Sequence, residues 1–164
     1  FLADTAMNVD PSTEDLVKIT EASVDLVARF GIEPKVALLS HSNFGTSNAG
    51  SAKKMRTASE LLRKKYPELQ IDGEMHVLSA LNPALRDTIY SQANLEGRAN
   101  VLVMPSLDSA NIAMGLIRSL TDALLIGPFI NGFRKPAHIV IPSVSSRGIF
   151  NMTALTVADI HAAK

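Results

Sequence analysis

The hydrophobic positions of the chain follow two alternating patterns. Short apolar runs alternate with longer segments in which apolar residues recur every three or four positions. The first pattern is typical of strands and the second of amphipathic helices, so their alternation predicts βαβ units. The uninterrupted apolar runs at residues 36–39 and 101–103 suit central strands that are buried on both faces. We therefore expect an α/β fold, a doubly wound and mostly parallel sheet flanked by helices.

The individual elements can be assigned from the same pattern. The predicted strands are residues 1–7, 35–40, 69–73, 99–104, 123–126 and 137–141. The predicted helices are residues 13–30, 51–66, 78–92, 109–121 and 146–163. Ser12 and Asp15 form an N-cap pair for the first helix, and Gly31 ends it. The basic residues of the second helix, Arg56 among them, are predicted to face largely outward.

Composition narrows the class of protein. The chain has 164 residues, 46% of them hydrophobic and 20% charged, which is enough for one domain with a sizeable core. Sixteen basic residues balance sixteen acidic ones, so no net positive field attracts nucleic acid or an anionic membrane. Cysteine is absent, which fits a reducing cytoplasm. No apolar run approaches the ~20 residues of a membrane span, and residues 1–7 do not resemble a signal peptide.

The loop after the second predicted strand, residues 40–48, is the first candidate for chemistry. Ligands of open α/β sheets bind beyond the carboxyl ends of the strands. This loop is rich in hydroxyl and amide side chains, contains Gly45 and leads into a helix. It can therefore bind an anion through backbone N–H groups and the helix dipole. The alternative is a capped loop whose serines satisfy the next helix.

Two further loops carry polar or turn-forming residues. Residues 72–76 combine two carboxylates with a histidine, but their spacing matches no compact metal motif, so we assign no metal and favour a polar loop with helix-capping duties. Residues 126–132 are rich in turn formers and can bring backbone close to a ligand through Pro128 and Asn131. A plain connection between strands explains the same glycines and is slightly favoured.

The last loop, residues 142–148, places serines beside a guanidinium. A serine beside Arg147 could mean a nucleophile with an anion clamp, or simply a helix N-cap with a solvated cation. No histidine or carboxylate adjoins these serines in sequence, so activation of a serine is unsupported.

Taken in order, several segments resemble the phosphate acetyltransferase and butyryltransferase family: residues 31–40, 71–73, 99–105, 111–112, 126–128 and 135–136. The resemblance implies a fold of the phosphotransacetylase and isocitrate–isopropylmalate dehydrogenase type. Such transferases exchange an acetyl group between coenzyme A and phosphate in a cleft between two α/β lobes. It further implies that residues 1–144 are the second lobe and that residues 145–164 are a C-terminal helix returning to a first lobe that this chain lacks.

The family's catalytic signature is altered in this sequence. The family pattern is Lys-Pro-x-Asn-Asp-Leu-Ser-Arg-Gly, followed after a spacer by Glu-Asp-Ile-Val-Asn. An alignment without gaps places Ile141-Pro142-Ser143 at the Ser-Arg-Gly positions and Gly148 at the aspartate position. Using Ser146-Arg147-Gly148 instead requires an insertion of about five residues and places Thr153 at the aspartate position. Neither glycine nor threonine can act as the acid–base partner.

A second resemblance concerns regulation. Residues 40–45 read Ser-His-Ser-Asn-Phe-Gly and, with residues 72–76, 135–138 and 151–155, resemble the C-terminal domain of hybrid NADP-dependent malic enzymes. This implies a non-catalytic regulatory domain that binds acetyl-CoA as an allosteric inhibitor and contributes to homo-oligomerisation through this lobe. NADP and a divalent metal would then belong to the attached malic enzyme domain. The predicted acetyl-CoA contacts are Ser42, Asn43, Gly45, Thr46, Pro128, Asn131, Ser145 and Arg147.

Two alternatives remain open at this point. One is an active phosphate acetyltransferase, converting acetyl-CoA and phosphate to acetyl phosphate and CoA, in which Ser146 and Arg147 do the chemistry. The other is a module that serves oligomerisation alone.

Overall fold

The computed structural model describes residues 1–123, 125–131, 135–140 and 144–162. The chain divides into two compact units, Phe1–Met114 and Gly115–Lys164. The first unit contains a sheet with helices, and the second contains the end of one helix and the whole of the last. The predicted division at residue 144, between a second lobe and a helix that returns to a first lobe outside this chain, stays a prediction.

A four-stranded parallel sheet forms the centre of the first unit. Val36 lies opposite both Ile71 and Val101, so the strand that carries it is central, as its apolar run predicts. The strands are β1 (Leu2–Ala3), β2 (Lys35–Leu39), β3 (Gln70–Met75) and β4 (Val101–Val103), in the spatial order β1-β4-β2-β3.

The helices match the periodic segments, with one exception described below. The capping box predicted for the first helix is confirmed: Ser12 Oγ accepts the backbone N–H of Asp15, and the Asp15 carboxylate accepts that of Ser12. The helices are α1 (Thr13–Arg29), α2 (Gly50–Lys65), α3 (Val77–Leu81), α4 (Pro83–Ile89), α5 (Leu107–Leu120) and α6 (Ser146–Ala162). Among the described residues, no helix is long and apolar enough to cross a membrane.

Successive residues of β2 point to opposite faces of the sheet and create two cores. Val36 and Leu38 pack with buried residues of α1 and α2. Ala37 and Leu39 pack on the other face with residues of α3, α5 and the segment before β4. Both faces of the sheet are therefore covered, which confirms the predicted doubly wound α/β class.

The single helix predicted at residues 78–92 is wrong, because the segment forms two short helices. Pro83 has no N–H to donate and cannot continue α3, and it occupies the first turn of α4 instead. Asn82 caps the new helix by accepting the N–H of Leu85 at 3.2 Å.

A buried arginine fixes the segment that follows α4. Arg86 is 1% exposed, and its guanidinium donates to three main-chain carbonyls: those of Ser79 at 3.3 Å, Leu95 at 2.6 Å and Gly97 at 2.9 Å. The cation thereby ties the chain before β4 to the α3–α4 pair.

All four strands differ from their predicted bounds: β2 and β4 are shorter by one and three residues, and β1 and β3 differ for identifiable reasons. β1 is only Leu2–Ala3, because the carboxylate of Asp4 accepts the N–H groups of Ala6, Met7 and Asn8 and turns the chain. β3 runs on to Met75, so the predicted loop at 72–76 is mostly strand.

The strands predicted at residues 123–126 and 137–141 are wrong for the residues that the structure describes. Residues 125–126 and 137–140 have no regular structure, and Leu124 and Ile141 lie outside the described residues. Leu125 and Ile139 are 50% and 62% exposed. A short apolar run predicts burial, whereas a strand also requires a partner to pair with, and the described residues of the second unit form no sheet.

Candidate functional site

The loop between β2 and α2, residues 40–49, folds over the end of β3. The backbone N–H of Ser40 donates to the carbonyl of Met75 at 2.9 Å, and that of Phe44 donates to the carbonyl of Glu74 at 2.8 Å. Glu74 thereby lies directly beneath the loop that the sequence singles out.

The carboxylate of Glu74 is the centre of the loop. Ser42 Oγ donates to Glu74 Oε1 at 2.6 Å, and the backbone N–H of Gly45 donates to the same oxygen at 3.0 Å. Arg56 binds in a bidentate manner, with Nε 2.9 Å from Oε2 and Nη2 2.9 Å from Oε1. The Glu74 side chain is fully buried, while that of Arg56 is 25% exposed. The result is a buried, hydrogen-bonded ion pair inside the loop.

These donors determine the charge state of the acid. Burial by itself would raise the pKa of Glu74, but the hydrogen bonds from Arg56, Ser42 and the Gly45 amide favour the carboxylate. They lower the pKa of Glu74 from 4.5 to about 2. The hydrogen bond to Glu74 in turn raises the pKa of the Arg56 guanidinium. Both groups are therefore charged at neutral pH.

Other backbone amides of the loop donate to acceptors within the loop. The N–H of Asn43 donates to Thr46 Oγ1 and that of Thr46 to the carbonyl of Asn43, both at 3.1 Å. The N–H of Ser47 donates to Ser42 Oγ at 3.0 Å. The N–H groups predicted to hold an anion thus already serve the loop itself, and the anion at its centre is Glu74.

The side of the loop toward α3 and α4 is held by side chains. Asn43 Oδ1 accepts the N–H of His76 at 2.8 Å and the hydroxyl of Ser79 at 3.1 Å. Phe44, at a φ of 45°, stacks on Tyr90 with ring centroids 4.3 Å apart. Gly45 and Thr46 are exposed. Of the predicted residues in this loop, Asn43, Gly45 and Thr46 are therefore accessible at least in part, whereas Ser42 is buried and supports the others.

The other four predicted contacts lie in the second unit. Ser145 precedes α6, and its Oγ accepts the backbone N–H of Gly148 at 3.1 Å, so it is the N-cap that the simpler alternative predicts. Arg147 is exposed in the first turn of this helix. Pro128 and Asn131 are half-buried in the irregular segment 125–131.

The first turn of α6 offers little to a catalytic serine. It contains no acidic residue in the described helix. Thr153, at one candidate position for the family's aspartate, donates its hydroxyl to the carbonyl of Ile149 at 2.9 Å. Asp159 lies on the same helix as Ser146, but thirteen residues further on, which is about 20 Å along the axis. Its Oδ2 lies 3.9 Å from Nε2 of His138 instead.

Arg56 is a residue of this site that the hydrophobic pattern alone places wrongly. It was predicted to face outward, but it shares the buried face of α2 with Ala52 and Ser59, four residues before and three after it. A carboxylate on a buried strand also requires a partner. The spacing of Arg56 from Ala52 and Ser59 on the helix, together with a carboxylate at Glu74 on a buried strand, indicates that the two charged side chains pair.

Comparison with known proteins agrees with this fold. The family model described as phosphate acetyl/butaryl transferase matches residues 1–157. The NAD-dependent malic enzyme of Rhizobium meliloti is 46% identical over 159 residues, which are 97% of this chain and 21% of that protein. The NADP-dependent malic enzyme of Escherichia coli is 48% identical over 160 residues, again 97% and 21%. A phosphotransacetylase structure from Staphylococcus aureus superposes with a TM-score of 0.90 at 30% identity, covering 96% of this chain and 49% of that one.

The fold and the matched family define the class of protein: a parallel α/β domain of the phosphotransacetylase type. The chain belongs to the phosphate acetyl/butaryl transferase family. The predicted resemblance to the phosphotransacetylase-like part of malic enzymes is confirmed. The chain spans about a fifth of the length of those malic enzymes (21%) and about half (49%) of the phosphotransacetylase structure.

Proposed function

We propose that this chain is part of a non-catalytic regulatory domain of a malic enzyme, and that the domain binds acetyl-CoA as an allosteric inhibitor. The malic enzyme domain in the same polypeptide carries out the oxidation of malate with NADP and a divalent metal. The similarity to malic enzymes along nearly the whole chain supports the attachment.

One observation carries the non-catalytic part of the proposal. Both positions that could hold the family's aspartate are occupied by residues without a carboxylate, Gly148 and Thr153. The hydroxyl of Thr153 is bonded to its own helix, and Asp159 is about 20 Å from Ser146 along α6. A serine without a base is a poor nucleophile.

Acetyl-CoA contacts are proposed at the predicted residues of each unit, taken separately. Asn43, Gly45 and Thr46 are at least partly exposed on a loop that Ser42 supports from beneath. Ser145 and Arg147 stand at the start of a helix, where the helix dipole and the guanidinium both favour an anion such as a phosphate of coenzyme A. Pro128 and Asn131 supply the remaining contacts. Inhibition requires that acetyl-CoA bind one state of the assembly better than the other.

The full-length protein provides the test. Malate oxidation is measured against acetyl-CoA concentration, with acetyl phosphate formation measured in parallel. We expect inhibition of malate oxidation without acetyl phosphate formation. Turnover comparable to that of an authentic transferase would contradict the proposal and favour the active phosphate acetyltransferase. Failure of acetyl-CoA to bind, measured by calorimetry, would leave oligomerisation as the role of the domain.

A matched pair of variants tests the predicted phosphate contact. Arg147→Ala removes one charge-assisted contact, so the acetyl-CoA concentration for half-inhibition should rise about tenfold. Arg118→Ala removes an exposed guanidinium from α5 of the same unit and should leave the half-inhibition concentration unchanged. Malate oxidation without acetyl-CoA should be the same in both. Equal responses of the two variants would contradict the role of Arg147.

We also propose that the domain contributes to a homo-oligomer. Ile112, Leu116 and Leu120 recur at intervals of four residues on α5 and are 64%, 54% and 78% exposed. Such a row is an apolar helix face suited to a second copy of the chain. Leu116→Asp should shift the full-length protein toward smaller assemblies in light scattering, and an unchanged mass would contradict this interface.

A further inference from the structure

We propose that Glu74 is the specificity-determining residue of the loop at residues 40–49. Its carboxylate, a side chain of the protein itself, lies where a bound anion would otherwise accept the hydrogen bonds of the loop. The loop therefore excludes inorganic phosphate and other small oxyanions. This inference concerns the free protein and does not depend on acetyl-CoA binding.

The donors around Glu74 are those of an anion site. A backbone N–H, a hydroxyl and a guanidinium converge on one carboxylate, at distances of 2.6 to 3.0 Å. Loops that bind phosphate use the same three kinds of donor. Here their shared acceptor is a side chain of the neighbouring strand, Glu74 on β3.

Charge balance explains the exclusion. Arg56 is the cation bonded to the loop, and its charge is compensated by Glu74 at 2.9 Å. A phosphate entering the same space would meet a buried carboxylate and donors that are already engaged. Burial of a second anion without a second cation is strongly unfavourable.

The loop is shaped to keep this pair in place. Gly45 lies above the guanidinium, and a Cβ at this position would be 3.9 Å from Arg56 Cζ. Arg56 Nη2 also donates to the carbonyl of Ser47 at 2.7 Å, which fixes the guanidinium to the loop on a second side. Removing only the Glu74 carboxylate should therefore leave a preformed cationic pocket.

The variant Glu74→Ala opens that pocket, because the atoms it removes correspond to one acetate ion. Hydrogen exchange of peptides that cover residues 40–49, in the full-length protein, reports on the loop. We expect exchange in the variant to be about tenfold faster or more, because a buried ion pair is broken. Acetate or phosphate should restore protection in the variant, whereas neutral acetamide at equal ionic strength should not. The wild-type loop should respond to none of the three.

Two controls separate this outcome from general effects of the additives. Glu21→Ala also removes a carboxylate paired with a cation and a hydroxyl, those of Lys65 and Tyr66, but away from the loop. Its exchange at residues 40–49 should not respond to acetate. In the double variant Glu74→Ala with Arg56→Ala the pocket has no cation, so acetate should no longer restore protection.

Acetate-dependent protection confined to Glu74→Ala would support the proposal. Equal effects of acetate and acetamide on Glu74→Ala, or a phosphate response in the wild-type loop, would overturn it. If Glu74→Ala does not accumulate as soluble protein, its refolding yield in acetate and in acetamide gives the same comparison. Equal yields would again overturn the proposal. No acetyl-CoA is present in these experiments, so their failure and that of the proposed regulatory function are distinguishable.

Discussion

Replacing Gly73 with alanine should be the most damaging single-methyl change in the sheet. Gly73 has a φ of +145°, which residues with a side chain rarely adopt. A Cβ there would lie 2.7 Å from the carbonyl oxygen of Leu38 and 2.9 Å from its Cβ, both on the neighbouring strand. The new methyl would therefore force the backbone of β2 and β3 apart at the point where their register shifts, between Leu38 and Leu39.

The loss of stability in Gly73→Ala follows from the strained φ angle and from the steric contact with Leu38. Backbone strain contributes about 2 kcal/mol, and overpacking against a fixed strand adds about 2 kcal/mol. The lower chain entropy of unfolded alanine offsets about 0.7 kcal/mol of this sum. We expect Gly73→Ala to lower the free energy of unfolding by about 3 kcal/mol.

Alanine variants of two other glycines separate the contribution of backbone strain from that of steric contact. Gly31 has a φ of +69° with nothing within 4 Å of its Cβ position, so Gly31→Ala carries strain alone and should cost about 1 kcal/mol. Gly50, at the start of α2, has open space and no positive φ, so Gly50→Ala should stabilise by about 0.5 kcal/mol.

Pulse proteolysis of the full-length protein in increasing urea measures the three variants against the wild type. The midpoint for the fragment that contains this chain should fall strongly for Gly73→Ala, slightly for Gly31→Ala, and rise for Gly50→Ala. A Gly73→Ala midpoint within error of that of Gly31→Ala would refute the steric part of the reasoning.

Three further predictions concern single side chains. Because the fold lowers the pKa of Glu74 from 4.5 to about 2, its stabilisation is present above the unfolded value and is lost as the pH falls toward 2. Urea unfolding should therefore show the stability difference between wild type and Glu74→Gln shrinking by about 2 kcal/mol from about pH 6 to about pH 3; a constant difference would contradict the lowered pKa of Glu74. Ser12→Ala removes the N-cap of α1 and should cost about 1 kcal/mol in the same assay, while Ser12→Asp should retain most of the stability; equal losses would contradict the cap. Arg86→Met leaves three carbonyls without their donor and should speed hydrogen exchange of residues 91–98 by about tenfold or more, and unchanged exchange would show that the guanidinium does not hold this segment.

The fold was predictable because its signals are local. Residues 36–39 and 101–103 are apolar without interruption, and only a strand covered on both faces buries such a run. Ser12 and Asp15 likewise specify the start of α1 by their spacing alone. The break at Pro83 was also readable, since the residue before a proline is disfavoured in a helix, but the apolar period on either side hid it.

The candidate site was only half predictable, for a physical reason. Hydroxyl and glycine residues mark the 40–48 loop in the sequence, but the carboxylate that accepts the Gly45 amide lies on another strand, about thirty residues further on. Whether a polar loop is open to a ligand or filled by the protein depends on such non-local pairing. The strand predictions at residues 125–126 and 137–140 were wrong for a similar reason, because apolar character does not specify which strand a segment pairs with.

The way Arg86 is bonded also has a consequence for how this chain can diverge. Its three acceptors are main-chain oxygens, which every amino acid supplies. The exposed side chains at residues 91, 92, 96 and 98 can therefore change without loss of these hydrogen bonds, whereas insertion or deletion of one residue would carry the carbonyls of Leu95 and Gly97 out of reach. Among relatives that keep the arginine, these exposed positions should vary in residue type, while the length of the segment should stay constant.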